Sequence, residues 1–168
     1  MSVAGQTPSL RRRLACFVYE GVLLFGVVMV AGLLFAMLTG QRHALHGKAA
    51  LQAFLFVVLG LYFVWFWSHG GQTVAMKTWR IRVERRDGAV LGPARALARY
   101  LAAWLWFAPA LLALWLAGSS TLGAVGAALT AGVLAYALSS RLHPQRQFWH
   151  DALCGTRLVT WQVAPLRR

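Results

Sequence analysis

Four apolar runs set the pattern of this chain, over residues 14–38, 49–67, 100–117 and 122–138. As helices, the first would be about 37 Å long and the others about 26–28 Å, against about 30 Å for the hydrocarbon core of a bilayer. Gly118-Ser119-Ser120-Thr121 separates the third run from the fourth. One helix over 100–138 would be almost twice a bilayer's thickness, so two spans joined by a tight turn are expected. Pro109 permits a kink in the third. The pattern predicts an all-α membrane protein with four transmembrane helices. Residues 1–13 form an N-terminal segment, 14–161 one membrane domain and 162–168 a basic tail.

The polar stretches have patterns of their own. In the loop over 68–99, Trp79, Ile81 and Val83 alternate with Arg80, Arg82 and Glu84, the period of a strand. Asp87-Gly88 is a turn signal, and Val90 and Leu91 are placed to start a returning strand, so a small β-hairpin is expected. Gly92-Pro93 then opens a helix that carries Arg95 and Arg99 four residues apart, on one face. After the fourth run, the segment from Gln147 reads as a short amphipathic helix stopped by Gly155. A short strand through Val159 to Trp161 follows and is free to pair with the loop hairpin.

Composition agrees with a membrane setting. Of the 168 residues 59% are hydrophobic and only 12% charged, about half the charged share of a soluble domain. Seventeen Lys and Arg face four acids, for a net charge of +13. The basic residues stand at the ends of the apolar runs, which points to headgroups and topology and excludes nucleic acid. With four spans, one side carries fifteen of them and the other only Arg42 and Lys48. Positive-inside placement then puts both termini and the central loop in the cytoplasm, across a bacterial inner membrane. Arg11-Arg12-Arg13 before an apolar run imitates a signal sequence, but the run is too long and lacks a cleavage site, so it is read as retained.

One acid breaks the first run. Glu20 lies seven residues after Arg13, about 10 Å deeper along a helix axis. An unpaired acid at the bilayer centre costs at least about 2.5 kcal/mol, so Glu20 should face the bundle, paired or protonated. Two readings stand beside each other. Glu20 is a cation- or proton-binding carboxylate, or it is a clamp to an arginine such as Arg95, Arg99 or Arg157. Arg13 with Asp151 is an equivalent clamp for the C-terminal segment.

In their order and spacing these residues resemble the RDD family of small bacterial membrane proteins. In that family an arginine opens the first span, an acid lies within it, and an aspartate follows the last span. Arg13 matches the arginine, and Asp151, in His150-Asp151-Ala152-Leu153-Cys154-Gly155-Thr156, matches the second aspartate. Glu20 stands where the first aspartate is expected, a departure by one methylene. Gly70-Gly71-Gln72-Thr73 and the basic hairpin also resemble the family's loop. The resemblance covers roughly residues 11 to 160 and implies a part in transport, with ion exchange among the activities proposed for members.

The remaining chemistry is sparse. Beyond Glu20 the spans offer Gln52, Tyr19, Tyr62, Thr130 and Tyr136 as polar groups, few for an ion path through one copy. His43 and His46 lack a nearby Cys, Asp or Glu and read as loop histidines, not metal ligands. Cys16 and Cys154 have no metal or redox spacing. Ser119, Ser120 and Ser139 have no nearby acid or histidine except the juxtamembrane His143, so neither an enzyme nor a cofactor is expected. Arg80, Arg82, Arg95, Arg99 and Arg157 are expected against anionic lipid headgroups or an anion. Run four carries two small-residue stripes, Gly123, Ala127, Ala131 and Ala135, and Ala124, Ala128 and Gly132. They suit close packing within the chain, in a homo-oligomer or against a partner membrane protein. The first function read here is transport of a small ion or solute through Glu20. The second is a non-catalytic scaffold that binds partner proteins or anionic lipid through its basic cytoplasmic face.

Overall fold

A computed structural model describes residues 5–39, 48–118 and 121–161. His43, His46, Arg42, Ser119, Ser120 and the basic tail over 162–168 lie outside the described residues. The first two apolar runs form α1 (Leu10–Thr39) and α2 (Lys48–His69), and the fourth forms α6 (Leu122–Ser139). A 3-10 turn extends α6 to Leu142. These three helices are long and apolar enough to cross a membrane.

The third run is not one straight helix. It begins within α4 (Pro93–Ala103), passes through a 3-10 turn at Trp104–Trp106 and resumes as α5 (Ala108–Ala117), bent by 42°. Pro109 has no N–H to bond back to the Leu105 carbonyl, so the helix breaks and restarts around it. Counted as one broken span, this pair makes the fourth crossing. Gly118, with φ +58, ends α5, and the Thr121 hydroxyl caps α6 by accepting the Ala124 N–H.

Small residues set how closely the helices approach. A Cβ on Gly132 would lie 2.9 Å from the Cβ of Ala110, so α5 and α6 touch almost backbone to backbone there. Of the two stripes on α6, Ala124, Ala128 and Gly132 turn inward, while Gly123, Ala127, Ala131 and Ala135 are exposed. Gly60 on α2 lies under the ring of Tyr100 on α4, whose hydroxyl donates to the Phe56 carbonyl at 2.8 Å.

The polar segments gather at one end of this bundle. They hold α3 (Val74–Thr78), β1 (Ile81–Arg85), α7 (Trp149–Leu153) and β2 (Thr156–Thr160). The expected hairpin is corrected: β1 pairs antiparallel with β2, from Ile81 opposite Thr160 to Arg85 opposite Thr156. The Asp87-Gly88 turn does form, with the Arg85 N–H on the Ala89 carbonyl. The helix then begins at Pro93, leaving too few residues for a second strand, and Leu91 is buried instead. Ile81 and Val83 face inward as their alternation requires. The N-terminal segment joins the same end. Thr160 N–H donates to the Gln6 carbonyl, Gln147 Nε2 to the Thr7 hydroxyl, and Arg12 Nε and Nη2 to the carbonyls of Trp79 and Arg80.

Candidate functional site

Glu20 lies on α1, two helical turns in from Arg13, and is buried. Among the described residues no arginine reaches it, contrary to the clamp expected from charge. Its two oxygens are taken by hydroxyls instead. Tyr62 on α2 donates to Oε1 at 2.7 Å, and Thr73 donates to Oε2. Thr73 is the N-cap of α3, and its hydroxyl also accepts the Met76 N–H. Glu20 thereby fastens α2 and the start of α3 to α1.

The Gly-Gly-Gln-Thr segment that positions Thr73 needs these residues. Gly71 adopts φ +72, and a Cβ there would run into the Val83 carbonyl oxygen. Its own carbonyl accepts the Val83 N–H at 2.7 Å, while Gln72 Nε2 donates to the Ile81 carbonyl at 2.7 Å. The loop is thus sewn to β1, which places Thr73 against Glu20.

A second polar cluster forms where α4, α6 and α7 meet. Arg99 Nε donates to Asp151 Oδ1 at 2.7 Å, and the Thr156 hydroxyl donates to the same oxygen at 2.9 Å. Arg99 also stacks on Trp67, its Cζ 4.1 Å from the ring centre. The Tyr136 hydroxyl accepts the His150 backbone N–H at 3.0 Å, which leaves its own hydrogen for His150 Nδ1, also at 3.0 Å. Nε2 then carries the imidazole proton and faces Asp151 Oδ2 at 3.5 Å. Burial pushes His150 down to about 4; Asp151 opposes the shift and Arg99 adds to it. Burial alone would raise the Asp151 carboxyl. Arg99, His150 and the hydrogen bonds from Arg99 and Thr156 outweigh it and hold the group below its ordinary range.

Asp151 is therefore committed to Arg99, and Arg13 is left over. Its guanidinium lies 4.3 Å above the Phe148 ring, and Nε and Nη1 are buried without a hydrogen-bond partner. The headgroup candidates divide in the same way. Arg99 is inside the protein, and Arg157 pairs with Glu84 at 2.7 Å. Arg80 and Arg95 are exposed, and Arg82 stacks on Trp161 at 4.4 Å. Sequence reasoning noted Tyr62 and Tyr136 only as polar groups in the spans, and noted Thr73 only within the family-like loop segment. An N-cap threonine opening a short helix was the signal available for Thr73.

Between α1, α2, the bent α4–α5 pair, α6 and the polar end lies a cavity of about 620 Å³. Its walls are mostly aromatic and aliphatic, among them Phe17, Phe63, Trp67, Trp106 and Phe148, and Arg13, Glu20, Arg99 and His150 reach it. Val18 and Leu111 on its lining are exposed apolar residues, so it opens sideways onto the apolar surface of the bundle.

The family model described as the RDD family matches residues 7–155. No curated protein and no solved structure matches the chain.

Proposed function

This chain belongs to the RDD family, and we propose that it is a multi-pass protein of the bacterial inner membrane, with both termini cytoplasmic, that moves a small ion or solute by way of Glu20. The observation that carries this reading is the position of Glu20. It is the one acid within the apolar runs, it is buried, and it stands on the wall of an internal cavity. Buried ionisable groups in membrane spans are costly and mark ion and substrate paths. The hydroxyls of Tyr62 and Thr73 hold the carboxylate in one orientation at that wall. A proton or cation that competes for these hydrogen bonds would loosen α2 and α3 from α1, which couples binding to a movement of helices. No chemical transformation belongs to this reading.

The test is cation flux driven by a pH gradient in liposomes holding the purified protein. Wild type is expected to carry flux that Glu20→Gln abolishes while expression and folding hold. Flux no greater than in empty liposomes under any ion gradient overturns the reading.

A second function has its own observation. Ser9, Arg11, Arg12, Trp79, Arg80 and Trp161 line an open groove of about 700 Å³ at the polar end. Arginines beside indoles suit anionic headgroups at an interface, and the exposed stripe on α6 suits a second copy or a partner membrane protein. A non-catalytic scaffold would bind anionic vesicles through this groove and show no flux.

A further inference from the structure

We propose that the cavity between the helices binds an anionic amphiphile with a single tail, a long-chain carboxylate, its head on Arg13 and its tail along the aromatic wall. The proposal does not need Glu20 to move an ion.

Charge identifies the head. Two guanidiniums, Arg13 and Arg99, reach the cavity, and Asp151 neutralises one of them at 2.7 Å. Arg13 is 5% exposed, and its Nε and Nη1 have no partner among the described residues. A buried guanidinium normally has its hydrogens satisfied, because leaving them bare costs much of what the charge loses on leaving water. Asp151 is near enough to act on Arg13 through its charge but gives it no hydrogen bond: Arg99 and Thr156 share its Oδ1, and Glu20, two turns away, is held by Tyr62 and Thr73. Two buried guanidinium N–H donors without an acceptor call for one, and a carboxylate meets a guanidinium in a planar, charge-assisted pair.

Shape and surroundings identify the tail. The volume of about 620 Å³ falls in the ~300–1,000 Å³ range of small-molecule sites, with mostly apolar walls and a few converging polar groups. Phe17 and Trp106 are stacked at 4.7 Å in that wall. The opening beside Val18 and Leu111 faces the side of the bundle, so a tail can enter from the lipid phase and extend back into it.

The probe is 9,10-dibromostearate, whose bromines quench nearby indoles, added to the full chain in a neutral detergent. Trp67, Trp104 and Trp106 on the lining are the reporters. Saturable quenching is expected, and the methyl ester of the same acid should bind at least about tenfold more weakly, the loss expected for a hydrogen-bonded charge pair. Arg13→Gln should weaken the acid to the level of the ester. Gly21→Leu gives an independent arm. Gly21 lines the cavity, and a Cβ there meets nothing within 4 Å, so there is room to begin a side chain that should displace the acid. Equal binding of acid and ester overturns the proposal, as does unchanged binding in Gly21→Leu. Dibromostearate binding without cation flux would instead overturn the Glu20 transport reading and leave this one standing.

Discussion

Arg99 and Asp151 form a buried ion pair that ties α4 to α7, the short helix after α6. Nε and Oδ1 are 2.7 Å apart, with side-chain exposures of 6% and 0%. Thr156 donates to the same carboxylate oxygen and Trp67 stacks on the guanidinium, while Oδ2 is buried without a hydrogen bond, His150 Nε2 facing it at 3.5 Å. Such a pair stabilises little against a well-packed apolar pair, yet losing one partner is costly because the other charge stays buried. Asp151→Asn should therefore lower the apparent stability in detergent by about 3–5 kcal/mol. The double variant Arg99→Met with Asp151→Asn should recover a substantial part. Melting of the wild type and both variants checks this, and a double variant no more stable than Asp151→Asn would count against it.

The same cluster makes stability sensitive to mild acid. Folded His150 titrates at about 4, against an ordinary 6.5, with burial as the chief cause. Between those values the unfolded chain binds a proton that the folded chain refuses. The contribution is full above about pH 6.5 and is lost as pH falls toward 4, up to about 3 kcal/mol. Asp151, held below its ordinary range, contributes above that range and is lost only at still lower pH, so the histidine window comes first. Melting between pH 7.5 and 4.5 should show the decline. His150→Asn, which keeps an acceptor for the Tyr136 hydroxyl, should flatten it. A wild-type slope in that variant would refute the assignment.

Glu20 predicts a measurable coupling between helices α1 and α2. Glu20→Gln leaves a hydroxyl donor facing an amide N–H, and Tyr62→Phe removes one donor outright. Each should cost about 1–3 kcal/mol, as for hydrogen bonds to a charged group. Together they should cost less than the sum, because Glu20→Gln weakens the same bond that Tyr62→Phe removes, with a coupling of about 0.5–3 kcal/mol. Strict additivity in the double-mutant cycle would show that the hydrogen bond seen at 2.7 Å contributes nothing to stability.

The long apolar helices and the polar end were legible because apolar runs, turns and isolated charges are local features. The partners of those charges were not. Charge alone suggested that Glu20 meets an arginine and that Arg13 meets Asp151. The nearer cation to Asp151 is Arg99, and Glu20 is served by neutral hydroxyls 42 and 53 residues away in sequence. Alternation identified β1 and its buried face, but a strand's partner depends on which segment reaches it. Pro93 opens the next helix too soon after the turn for a local hairpin, so β2 takes the edge. The break between α4 and α5 was visible as Pro109; the angle it produces depends on how α5 packs against Gly132.

Gly71 offers a test of the loop that presents Thr73. At φ +72 an alanine is strained, and its Cβ would run into the carbonyl oxygen of Val83. Gly71→Ala should destabilise by more than about 1 kcal/mol, beyond a simple change in chain entropy. The loss should be local before it is global. The loop must shift, the bond from the Val83 N–H to the Gly71 carbonyl should weaken, and Thr73 should move from Glu20. Hydrogen exchange should then rise at Val83 and in α3 while the middle of α6 stays protected. Gly70→Ala is the matched control, since a Cβ at Gly70 meets nothing within 4 Å and its φ is not in the left-handed range. Equal exchange and equal melting in the two variants would mean that Gly71 does not hold this loop against β1.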